Sequence, residues 1–153
     1  MAVSTPSIGT TLACATASPA TYDASGYGAL TFTDIGKVAS ISARGDSHAE
    51  ITPPADLATG RITPRKGAVN GGNIEVTIHT ESYADAGQDL IRTAAAAIND
   101  DAILSFEETD RAGNIRYFEG EVHSYQFIEA SESSYAGVSF GILVHTAIVV
   151  DEA

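Results

Sequence analysis

The run Gly137 to Gly141, GVSFG, spells G-x-S-x-G, the spacing that sets a serine nucleophile on a strand-to-helix elbow in hydrolases, and His145 follows close behind. An elbow needs a strand, a sharp turn and a helix that begins at once. Here Ser139 lies between Val138 and Phe140, and the ILVHTAIVV that follows is aliphatic and β-branched with strand periodicity. The motif therefore reads as strand, and no catalytic residue is assigned.

The other chemistry-bearing groups fare similarly. His48, His79, His123 and His145 are the only histidines, and three of them fall on predicted strands, but none has the H-x-H or H-E-x-x-H spacing of a zinc site. They read as polar-face or interface residues, with no metal and no cofactor. The acids Glu107, Glu108, Asp110, Glu119, Glu121, Glu129 and Glu132 gather around the later strands with only Arg111 and Arg116 nearby. Carboxylate pairs do acid–base work inside a shaped pocket, and no pocket-forming pattern accompanies these. Arg44–Gly45–Asp46 spells an adhesion tripeptide but reads as turn chemistry.

One basic cluster stands apart. Arg61, Arg65 and Lys66, together with Arg44, place half of the eight bases in a polar stretch near residues 43–73. The whole chain carries 20 acids and a formal charge of −12, so positive charge on an extended segment complements the protein's own surface. Self-association is the simplest partner. An acidic balance argues against ordinary nucleic-acid binding, which depends on Lys and Arg displacing counterions.

The elements that position these groups are mostly strands. The 153 residues fit one domain, and 44% hydrophobic content with 7% aromatic residues and no Trp predicts an aliphatic core. The lone Cys14 excludes an internal disulfide. The N-terminus lacks the basic region and apolar run of a signal peptide, and no segment has the length of a membrane span. Residues 1–28, rich in Ser, Thr, Ala and Gly, read as an extended arm. Leu30 and Phe32 begin a strand pattern, and Val38 and Ile41 a second. NIEVTIHT alternates Ile74, Val76 and Ile78 against Glu75, Thr77 and His79. The one convincing helix, about residues 85–98, opens with an Asp85–Gln88 capping box and carries Leu90, Ile91, Ala94 and Ile98 as its apolar stripe. Two strands joined at Ala112–Asn114 follow, the second with a drifting parity that suggests a bulge near Gly120. The last run puts Val138, Phe140, Ile142, Val144, Ile148 and Val150 on one parity. About seven strands and one helix make an α+β, mainly β, antiparallel sandwich or barrel-like unit.

The order of these pieces resembles the major tail tube proteins of long-tailed bacteriophages, of siphophage type, whose fold is shared with the tube protein of type VI secretion. The resemblance is carried by the Gly9-Thr-Thr-Leu12 opening, the KVASIS strand, the long loop ending in KGAVNGGNIEVTIHT, the helix DAGQDLIRTAAAAIND, the strand–turn–strand around RAGN, and the closing strands. It implies a non-enzymatic virion protein in which six subunits form a ring, rings stack into a hollow tube, and sheets join into a continuous inner β-barrel. It implies a place in the virion tail after assembly in the host bacterial cytoplasm, with tape-measure, tail-terminator and tail-tip proteins as partners. DNA would cross the lumen without specific binding, and this chain would insert into no membrane. Repulsion between phosphates and an acidic wall suits that passage, and Glu119, Glu121 and His123 are the lumen-lining candidates. Arg61, Arg65 and Lys66 are the candidates for contact with the next ring. Two rival readings stay open: a β-sandwich binding or adhesion module on a virion or secreted surface, and a small metal enzyme built on the strand histidines.

Overall fold

The structure is a computed structural model and describes residues 6–153. Its elements, in chain order, are β1 (Thr11–Ala15), α1 (Ala24–Gly28), β2 (Thr33–Asp34), β3 (Val38–Ile41), β4 (Ser47–Ile51), β5 (Arg65–Asn70), β6 (Asn73–Ile78), α2 (Ala86–Ala96), β7 (Ile103–Thr109), β8 (Ile115–Phe127), β9 (Val138–Val144) and β10 (Val149–Asp151). The fold is mainly β with one substantial helix, as the pattern of the chain predicts. There are ten strands among the described residues where the pattern predicts about seven, because β2, β4 and β10 are too short or too exposed to show an apolar period.

Every pairing in the main sheet is antiparallel, in the order β2-β1-β7-β8-β9-β6-β3, with β10 alongside the first part of β8. Only Ile35, Gly36 and Lys37 separate β2 from β3, so the two ends of this path come side by side. The sheet is thus a barrel with one unclosed seam. Backbone bonds from Ile35 N–H to the Leu12 carbonyl (2.9 Å) and from His79 N–H to the Lys37 carbonyl (3.0 Å) pin the link to both sides.

The inward parity of each strand builds the core: Leu12 and Cys14, Ile74, Val76 and Ile78, Leu104 and Phe106, Phe118 and Val122, Phe140 and Ile142. Phe106 and Phe118 stack at 5.2 Å across β7 and β8. Helix α2 closes this core with Ile91 and Ala94. Its start is set by Asp85, whose carboxylate accepts from Gln88 N–H at 2.9 Å. Gln88 does not complete a capping box. Fully buried, it accepts from Ser82 N–H (2.8 Å) through Oε1 and donates through Nε2 to the carbonyls of Gly36 (3.0 Å) and Thr80 (3.2 Å). The side chain is a three-way tie between the helix, the β6–α2 loop and the β2–β3 link. Ile98 also departs from expectation: the helix stops at Ala96, Ala97 is extended, and Ile98 is 100% exposed. Gly87 lets the helix touch the link, since a Cβ there would run into the Asp34 carbonyl oxygen.

The composition of residues 1–28 reads as an extended arm that orders only against another surface, and here that surface is the chain's own sheet. Residues 1–5 lie outside the described part, but Thr11–Ala15 is an inner strand of the sheet with Leu12 to Ala15 buried. Its small residues are required by position: Leu12 and Cys14 face the core, while Ala13 and Ala15 lie on the other face. That second face is covered by residues 16–32, which cross it as a strap. Tyr27 of α1 stacks on Tyr117 at 5.2 Å, Phe32 lies 6.0 Å from the same ring, and Ser105 Oγ donates to the Ala17 carbonyl at 2.8 Å. Burial pushes the Cys14 thiol up to about 12, with the Asp85 charge adding to the effect. The thiolate is the nucleophile, so Cys14 is expected to resist iodoacetamide in the native protein and to react on unfolding in urea. Fast labelling without denaturant, read by mass spectrometry, would contradict this packing.

The parity drift on β8 has the same origin. From Tyr117 to Gly120 all four residues are buried, because the core covers one face and the strap the other. The bulge itself lies between Val122 and Ser124 rather than at Gly120, whose missing side chain instead admits Ile142 and the Leu143 carbonyl. The final run is interrupted after Val144, and β10 resumes beside Ile115–Tyr117. No described helix is long and apolar enough to cross a membrane.

Candidate assembly surfaces

The stretch 43–73, which reads in sequence as a long loop, folds as a hairpin of β4 and β5 that pairs only with itself. Every residue of both strands except Gly67 is exposed, and the link 52–64 carries Pro53, Pro54 and Pro64. Arg61, Arg65 and Lys66 are all exposed on it, and so are Ile51, Leu57, Ile62 and Val69. A hairpin of this kind is marginal alone, and four solvent-facing aliphatics call for a cover.

The root of the hairpin is anchored by charge. Arg44 holds both carboxylate oxygens of Glu108 through Nε and Nη2, and its Nη1 donates to the Ser42 carbonyl at 3.1 Å. Glu108 is only 1% exposed, and Arg116 approaches it at 3.6 Å while reaching Asp110 at 3.7 Å. The adhesion-like tripeptide is therefore committed inside the fold through its arginine. Arg44→Ala would strand a buried carboxylate. Fully enclosed pairs cost about 3–5 kcal/mol when one partner goes, and partial exposure of Arg44 with Arg116 in reserve reduces this to about 2 kcal/mol. Urea denaturation at neutral pH measures it, and a shift under about 0.5 kcal/mol would show that the bridge carries no stability.

The three lumen-lining candidates separate. Glu119 is on the strap side and only 8% exposed: its N–H donates to Thr146 Oγ1 (3.1 Å), Oε1 accepts from Tyr22 (3.4 Å), and Oε2 is buried without a partner among the described residues. It presents no charge to solvent, because the residues that read as an extended arm lie over it. Glu121 is half-exposed, 3.6 Å from His145, and His123 is exposed. The His123 ring lies over Gly141, where a Cβ would sit 2.5 Å from Nε2, and that nitrogen is 3.0 Å from Asn73 Oδ1. Beside it Ser139 Oγ donates to Glu75 Oε1 at 3.0 Å, with Thr77 on the same face of β6. The outer face of β6, β9 and the end of β8 is thus largely polar, interrupted by the half-exposed Leu143, and the alternation in NIEVTIHT marks Glu75 and Thr77 as its members. The histidines stay apart, and no three metal-ligating side chains converge among the described residues. Ser139 is the second residue of β9, with strand rather than helix after it, and bonds a carboxylate, without a histidine partner among the described residues.

The seam is an open groove of about 450 Å³ between Ser7–Thr10 and the free edge of β3, with Ile8, Val38 and Ile41 on its walls. A second hollow of about 300 Å³ beside it is lined by Arg44, Arg111, Arg116, Glu108 and Asp110.

No protein-family model and no curated protein matches the chain. Among solved structures, the tail tube of SPP1, determined by solid-state NMR and cryo-EM, matches 97% of this chain and 80% of its own at a TM-score of 0.62 and 17% identity. The chain has the tail-tube fold. A chain of the extended sheath-tube complex of PVC, an extracellular contractile injection system, matches with the same TM-score at 13% identity, over 97% of this chain and 91% of its own. A chain of the native gene transfer agent virion matches at 0.56 and 13% identity, over 78% and 88%. The tail-tube fold here is equally near to a phage tail and to a contractile injector, so it does not choose between them.

Proposed function

We propose that this chain is the structural subunit of a tail tube: six copies form a ring, rings stack into a hollow tube, and DNA passes through it on ejection. The observation that carries the reading is the tail-tube fold, which extends over 97% of this chain. The unclosed seam and free β3 edge support it, since an unpaired strand edge is a hazard in a monomer and a joint in a ring. The polar face around Glu75, Thr77, Glu121, His123 and Ser139 suits a lumen, and six copies of a −12 chain would repel phosphates. Glu119 would be excluded from that lining by the strap. Virion tails are then the location, and tape-measure, tail-terminator and tail-tip proteins the partners beyond the chain itself. Arg61, Arg65 and Lys66 would meet the next ring. Negative-stain microscopy of the purified, concentrated protein tests this: hollow rods with six-fold end views are expected, and a protein that remains monomeric under all concentrations and salts would refute it.

A further inference from the structure

The hairpin leaves the barrel where β3 ends and β6 begins. At the other end, where β6 and β8 finish and β9 starts, the strand register brings together the 79–83 and 127–137 segments. That rim is aromatic and bare: Phe127 is 69% exposed, Tyr135 76% and Tyr83 75%, with Ile128 beside them. His79 meets Tyr135 edge-on at 6.2 Å, Phe127 meets Tyr125 likewise at 6.2 Å, and Tyr83 lies under the Arg92 guanidinium at 4.6 Å. The aromatic residues are thus held in place while their outer surfaces face water. Glu129 and Glu132 flank them, both exposed and absent from every ion pair among the described residues.

We infer that this rim is the seat for the hairpin of a second copy of the chain. The two surfaces match in kind: four exposed aliphatics on the hairpin against three aromatics and Ile128 on the rim, and Arg61, Arg65 and Lys66 against Glu129 and Glu132. They are also at opposite poles of one barrel, so the contact is heterologous. A chain that docks its hairpin on a neighbour leaves its own rim open, and the association continues in one direction instead of closing as a dimer. This rests on the stacked-tube reading and adds to it the receiving surface and the polarity of the stack.

The chain has only two lysines, Lys37 and Lys66, which makes a direct test available on the unmodified protein. A carbodiimide joins a lysine amine to a carboxylate it touches, and the joined peptides are read by mass spectrometry. Rods should yield Lys66 linked to Glu129 or Glu132, and unassembled protein should not. Rods in which Lys66 links only to other acids, or to none, would overturn the seat while leaving the tube intact. Protein that never forms rods would instead defeat the tube reading and the seat with it. As a second measurement, Glu129→Lys with Glu132→Lys should abolish rods, and combining these with Arg65→Glu and Lys66→Glu in the same chain should restore them. Undiminished rod formation by the rim variant alone would equally overturn the inference.

Discussion

Gln88→Leu is expected to lower the thermal midpoint of the isolated subunit by about 10 °C, although leucine is similar in size and at least as good a helix former. The loss comes from groups that Gln88 alone satisfies. Ser82 N–H loses its acceptor, and the Gly36 and Thr80 carbonyls lose a donor, around a side chain that is itself fully buried. Each orphaned group costs about 1–3 kcal/mol, offset in part by the added apolar burial, which leaves about 3–4 kcal/mol. Gln88→Glu is the informative control: it keeps the acceptor for Ser82, removes both donations and buries a charge, so it should be no better than leucine at neutral pH. A Gln88→Leu midpoint within about 2 °C of the parent, by circular dichroism, would mean that the three-way tie is dispensable.

The second large effect separates two neighbours in GVSFG. Phe140 is fully buried between β6 and β8, and Phe140→Ala should cost about 3–5 kcal/mol through lost transfer energy and the cavity left behind. Ser139→Ala removes one hydrogen bond to Glu75 on the solvent face and should cost less than about 1 kcal/mol. Urea melts of both variants check the contrast. Equal costs would contradict the placement of the strand, and a larger cost for Ser139 would mean that its face is not solvent-facing in the subunit.

These two residues also show where the sequence is legible. Alternation identifies β6 and β9 and the inward parity of Ile74, Val76, Ile78, Val138, Phe140 and Ile142, because one face of each is water and the other core. The Asp85–Gln88 spacing locates the helix start, yet Gln88's real partners are 6 to 52 residues away and leave no local trace. The strap escapes the sequence for a related reason. A segment rich in Ala, Ser, Thr and Gly has the composition of an arm, and what fixes it to the sheet is long-range: Tyr27 and Phe32 on Tyr117 and the Ser105 bond to the Ala17 carbonyl. The burial of Glu119 is hidden for the same reason, since its parity is right for a polar face but the cover over that face leaves no pattern. The basic cluster is found by charge alone. The aromatic rim instead draws on two separate segments, with His79 and Tyr83 on one and Phe127 and Tyr135 on the other, and no one-dimensional pattern joins them.

The double cover on β8 has a consequence for how the chain can vary. From Tyr117 to Gly120 neither face of the strand is free, so consecutive positions are constrained, each by a different neighbour. Past the bulge after Val122 no residue of the strand is fully buried, and Phe127 at its end is 69% exposed. A single strand therefore carries two kinds of packing constraint. Substitutions in its first half are expected to cost stability at every position, and those in its second half, which no neighbour covers fully, to cost much less.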